Sequence, residues 1–177
     1  FKAYDMDVTE ASALSVMRCV GAWQMVLAAL VTADTGDVHS LGSYLAAASI
    51  LVAIPAWEVL GAPKEPMVAW IAALTAIGAL QAQGKLSPWV SVFLYLSNGL
   101  QWQFMSTAAL DLYGVKKPSP LAVSMAGLSG SMMLVAGTYL AALANGSTQA
   151  EAFGYAYALN GASAAKWALT EAEGLGA

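Results

Sequence analysis

The sequence predicts an all-α polytopic membrane helix bundle, with five or six transmembrane helices joined by short loops. Three observations predict it. Of 177 residues, 59% are hydrophobic and only 10% are charged, against about 25% charged in a soluble domain. Uncharged windows recur along the chain: 20 residues at 38–57, 19 at 66–84, 25 at 86–110 and 33 at 118–150. A helix rises about 1.5 Å per residue, so about 20 residues cross a hydrocarbon core of about 30 Å.

The first predicted span, 11–33, is apolar apart from Arg18. The second covers 40–61 and contains Pro55, which is expected to kink it. Such a kink is tolerated in lipid where neighbouring groups satisfy the freed carbonyl. The third covers 66–83, with Pro66 as its first helical residue. The fourth, 88–112, and fifth, 120–144, begin with Ser87-Pro88 and Ser119-Pro120. In each, a hydroxyl stands at the N-cap and a proline at N1, where an amide hydrogen has no helical partner. A sixth segment opens with Thr148 and Glu151, the spacing of a capping box. Gly154, Ala158, Gly161 and Ala165 give it a smooth side for packing. An interfacial helix is the alternative for this segment.

No linker or charge block divides the chain, so residues 1–177 read as one transmembrane domain. If all six segments cross, Lys2, Lys64, Lys116 and Lys117 share one side and Lys85 lies on the other. The positive-inside rule then places the N-terminus on the cytoplasmic or stromal side. A start at Phe1 rather than Met is read as following a removed or unseen leader. The net charge of −4 leaves no basic stripe for nucleic acid. The single Cys19 has no partner for an internal disulfide and reads as a packing residue.

Few residues carry chemistry. Arg18 and Glu58 lie 18 residues before and 22 after a turn at Gly36. Their depths differ by about 6 Å, which an arginine bridges, so an interhelical ion pair is expected. In "SNGLQWQFMSTAALDLYG", Asn98 and Gln101 share a face and Gln103 points elsewhere. Carboxamides within an apolar helix read either as interhelical hydrogen bonds or as oxygen ligands to a chlorophyll magnesium. The cofactor-binding candidates are Gln101, Asn98, Glu58, Gln24, His39 and Gln81, with Gln83 beside them. His39 is placed in the loop before the second span. Trp57, Trp70 and Trp89 fit an interfacial belt. Ser124, Gly127 and Ser131, extended by Gly137, fit close helix packing. HExxH, GxSxG, Walker and dinucleotide patterns are absent, so no catalytic residues and no metal centre are expected.

In kind, these Ala/Gly-rich, charge-poor spans with embedded carboxamides resemble accessory subunits of organellar bioenergetic complexes, particularly algal photosystems. The chain departs from light-harvesting antenna proteins, whose E-x-x-H/N-x-R pattern is missing from "MRCVGAWQM" and "AWEVLGAPK". The resemblance implies a non-catalytic thylakoid-type subunit that packs against lipids and other membrane subunits and holds chlorophyll or carotenoid. Two alternatives stand beside it. One is a pigment-free scaffold of a respiratory or ATP-synthase complex; the other is a small autonomous membrane protein, DoxX-like or a transporter module.

Overall fold

The structure is a computed structural model that describes residues 11–32, 37–60 and 63–170; the side chains of 11–13, 31–32 and 53–60 lie outside that description. Among the described residues it is all helix, without strands. In chain order the helices are α1 (Ala11–Thr32), α2 (Val38–Leu60), α3 (Lys64–Ala82), α4 (Pro88–Phe104), α5 (Ser106–Leu112), α6 (Pro120–Ala144) and α7 (Gln149–Thr170).

Local chemistry sets most of these boundaries. The Ser87 hydroxyl accepts from the Trp89 amide at 3.4 Å, and that of Ser119 from Ala122 at 3.1 Å, with Pro88 and Pro120 at N1 as expected. At α7 the capping box closes: Glu151 accepts from the Thr148 amide at 2.8 Å, and Thr148 Oγ1 from the Glu151 amide at 3.3 Å. Helix α3 begins at Lys64, two residues before the expected start, so Pro66 falls within a first turn whose amides have no helical partner anyway. After α3, α5 and α6 stand Gly84, Gly114 and Gly146 at φ of 64°, 87° and 88°. The following amides (Lys85, Val115, Ser147) reach back to Leu80, Leu110 and Ala142 carbonyls at 2.9–3.1 Å. Each helix thus ends in a Schellman turn, which needs the left-handed backbone that glycine supplies.

The fourth span is not continuous. It breaks at Met105 (φ −128°, ψ 38°) into α4 and α5. The break leaves little backbone unpaired. The Met105 amide donates to Gln101 at 2.8 Å, Ala109 donates to Met105 at 2.9 Å, and the Ser106 hydroxyl donates to the Trp102 carbonyl at 2.6 Å. A serine bonding back one turn bends a helix in this way.

Helix α6 is the hub, packed against α1, α4, α5 and α7, with a smaller contact to α2; α3 lies outside, against α2. The α4–α6 seam is glycine-lined. A Cβ on Gly130 would stand 2.4 Å from the Gln103 amide nitrogen, and one on Gly137 2.8 Å from Leu96. The expected small-residue path is met in part: Ser131 and Gly137 face α4, Ser124 instead accepts from Trp167 Nε1 of α7 at 2.6 Å, and the tightest point is Gly130 rather than Gly127, where the nearest atom is 3.5 Å away. Buried Ser131 donates to the Gln103 carboxamide across the seam.

By length and composition, two helices among the described residues suffice to cross a membrane, α3 and α6. Five or six were expected. Of the rest, α1 and α2 contribute apolar stretches of Leu14–Leu30 and Val38–Val52 over their described residues, and the Met105 break leaves α4 with 17 residues. Helix α7 keeps Glu151, Asn160 and Lys166.

Candidate functional site

Helices α1 and α4 pack little against each other, both being held by α6. Between them lies a cavity of about 80 Å³, measured as room for the centres of water-sized molecules. Its walls combine Val16, Cys19 and Trp23 from α1 with Tyr95, Asn98 and Trp102 from α4. Helix α2 adds Ser49, α3 adds Trp70 and Leu74, and α6 adds Ser129 and Met133. Tyr95, Asn98 and Trp102 reach it together because positions i, i+3 and i+7 share one helical face.

Most polar atoms here are satisfied. Ser49 Oγ donates to the Leu45 carbonyl at 2.9 Å and lies 2.6 Å from Tyr95 Oη. The serine proton is thereby engaged, so the tyrosine donates. Asn98 Nδ2 donates to the Leu94 carbonyl at 2.9 Å. Trp23 meets Tyr95 edge-on with ring centres 6.0 Å apart, and Trp102 meets Tyr113 at 5.2 Å. Ser129 differs. It is 2% exposed, and its hydroxyl has no hydrogen-bond partner among the described residues. A buried unpaired hydroxyl costs about 1–3 kcal/mol.

A second, more open groove of about 320 Å³ runs between α1 and α7 over α6. Gln24 and Asn160 stand on its sides, and Tyr139, Phe153 and Tyr157 supply aromatic surface.

The six expected ligand residues are not brought together. Asn98 faces the central cavity and Gln24 the α1–α7 groove. Gln101 is half-buried, lines neither space, and makes no side-chain hydrogen bond among the described residues. Gln81 is fully buried: its oxygen accepts from Ser91 at 3.0 Å and its amide lies 3.4 Å from the Ser87 carbonyl. Gly42 of α2 makes room for it, since a Cβ there would sit 1.9 Å from Gln81 Oε1. With Gln103 likewise bonded to Ser131, two carboxamides act as interhelical hydrogen bonds.

His39 lies in the first turn of α2 rather than in a loop. Asp37 is the reason: its carboxylate accepts from the His39 amide at 3.1 Å and from the Ser40 amide at 3.2 Å, capping the helix before the histidine. The Ser40 hydroxyl also donates to Asp37, and this bonding holds the Asp37 pKa below its usual 3.8. The His39 Nδ1 is buried and has no hydrogen-bond partner among the described residues. Arg18 is exposed, while the Glu58 side chain, and with it the expected ion pair, lies outside the described residues. Trp57 lies there too. Trp89 is 50% exposed, as a belt residue would be, whereas Trp70 turns toward the cavity.

Sequence reasoning missed Trp23, Tyr95 and Ser129 as lining residues. The spacing of Tyr95, Asn98 and Trp102 was the available signal, but nothing in the sequence marks Ser129 among its serine neighbours. No family model, no curated protein and no solved structure matches the chain.

Proposed function

We propose that the chain is a non-catalytic, polytopic membrane subunit whose helices cross lipid and present apolar faces to partner helices. One observation carries this reading. Helix α3 is 19 residues long and apolar enough to span, yet only 17% of its apolar stretch is buried, against 72% for that of α6. A core helix of a water-soluble protein passes the same apolar test by being buried. Helix α3 is outside, where exposed apolar area disfavours solution in water by about 25 cal/mol per Å². Met25, Leu51, Phe93, Phe104 and Leu169 add to that outer surface at 67–80% exposure. Large apolar side chains exposed to this extent on several helices suit a lipid or partner interface.

In this reading α1, α2, α3, the α4–α5 pair, α6 and α7 supply six crossings. The positive-inside count then puts Lys64, Lys116 and Lys117 on the cytoplasmic or stromal side. The photosystem-type assignment, with chlorophyll or carotenoid, belongs to this proposal. Its support is that Gln24 and Gln101, on otherwise apolar helices, carry carboxamide oxygens without side-chain hydrogen bonds among the described residues. Carboxamide oxygen suits a hard cation such as magnesium.

Alkaline carbonate extraction of membranes containing the full chain tests the membrane part. Retention in the pellet supports it, and release into the supernatant refutes it. An absorption spectrum of the purified native complex tests the pigment part. Chlorophyll bands that fall by one equivalent in Gln24→Leu or Gln101→Leu support it; a colourless stable complex refutes it and favours a pigment-free scaffold.

A further inference from the structure

The geometry points to the cavity between α1 and α4 as a binding site for the head of a lipid-soluble quinone, a flat apolar ring carrying carbonyl oxygens, with Ser129 donating to one of them. Three features converge on that chemistry. The walls are aromatic on several sides, with Trp23, Trp70, Tyr95 and Trp102 coming from α1, α3 and α4. Flat rings are held by such walls through edge and offset stacking. The fully buried open polar group is a donor. Ser129 Oγ has no partner among the described residues, whereas Tyr95 Oη already donates to Ser49 and the partly buried Asn98 spends one of its two N–H groups on Leu94. A buried unpaired hydroxyl asks for an acceptor, and a ring carbonyl supplies one without bringing a charge into an apolar space.

Size fits as well. A water-sized sphere needs roughly 10–15 Å³ on this measure, so about 80 Å³ corresponds to one substituted six-membered ring. Trp70, Asn98 and Trp102 are only partly buried, so the cavity is not sealed and an alkyl tail can leave it. Ordered water is the competing occupant. It would need two to four polar partners, which only Ser129 and Asn98 leave open in a wall that is otherwise mainly carbon or already hydrogen-bonded.

This inference does not depend on the membrane reading or on pigment in the α1–α7 groove. The full chain is titrated in lipid nanodiscs, or in buffer should carbonate release it, with 2,3-dimethoxy-5-methyl-6-decyl-1,4-benzoquinone. The readout is quenching of tryptophan fluorescence. Three of the six tryptophans line the cavity, so saturable quenching of about half the emission at one quinone per chain is expected. Ser129→Ala should weaken that binding about tenfold, the value of one hydrogen bond made in a dry site. The carbonyl-free ring 1-decyl-2,3,4,5,6-pentamethylbenzene should compete about tenfold less well against wild type, but as well as the quinone in Ser129→Ala. Ser129→Leu, which fills the space, should abolish the saturable phase at unchanged helical circular dichroism. If that variant fails to fold, the alanine variant and the carbonyl-free ring decide alone. Quenching that is linear in wild type, or saturable and equal in wild type and Ser129→Ala, overturns the assignment.

Discussion

Replacing Gly130 by alanine should separate the two helices that hold the bundle together. The new methyl would stand 2.4 Å from the Gln103 nitrogen, 2.8 Å from the Gly99 oxygen and 2.8 Å from the Trp102 carbonyl carbon. All three are backbone atoms, so no side chain can swing aside. Ordinary contact begins near 3.4 Å, and α4 and α6 must therefore part by about 1 Å. Overpacking of this kind costs about 1–3 kcal/mol. The bond from Ser131 to Gln103 crosses the same seam, and stretching it costs about 1 kcal/mol more. Alanine returns about 1 kcal/mol through its better helix propensity. The net expectation is a loss of about 2 kcal/mol. The measurement is an SDS titration of the purified protein in mild micelles, followed by circular dichroism. Gly161→Ala is the control, because a Cβ there has nothing within 4 Å; it should match wild type or gain up to about 1 kcal/mol. If Gly130→Ala unfolds at the wild-type midpoint, or the two variants behave alike, the close-contact argument fails.

Two further outcomes are expected. Gln81→Leu leaves the buried Ser91 hydroxyl without its acceptor, so the same titration should show a loss of about 1–3 kcal/mol, while wild-type stability would mean that the Gln81–Ser91 bond contributes nothing net. Asp37 has a lowered folded pKa, so its capping contribution is complete above the unfolded value of about 3.8 and disappears as pH falls through the lower folded one. Thermal melts should therefore show an acid-side decline between those values that flattens in Asp37→Asn; identical pH profiles would remove Asp37 as the cause.

Much of the helix map was legible because caps are local. Ser87-Pro88, Ser119-Pro120 and Thr148–Glu151 set helix starts through bonds within four residues, and a sequence displays such bonds directly. Asp37 is equally local, but a charge at the edge of an uncharged window reads as a boundary before it reads as a cap, and only the cap puts His39 in the helix. The break at Met105 was not legible. No glycine or proline marks it, and Ser106 bends the helix by bonding back to Trp102, beside the point where Gly130 lets α6 approach the α4 backbone. That close approach involves a helix more than twenty residues away in sequence. The candidate site was half legible. Carboxamides in apolar helices signal buried hydrogen bonding, but which of them face a cavity, another helix or neither depends on helix rotation. Gln81, Asn98 and Gln101 have those three different fates.

The central place of α6 has a consequence in time. The inner residues of α1, Trp23, Val26 and Leu30, share one cluster with Met132, Val135, Tyr139 and Leu140 of α6. Those partners are synthesised more than 100 residues after Leu30. At about 5–20 residues per second, α1 waits on the order of ten seconds with α2 as its main packed neighbour. A nascent chain stopped before Pro120 therefore carries α1 to α5 without the helix on which α1 and α4 both rest, and that interval is when its half-built interior is open to other chains.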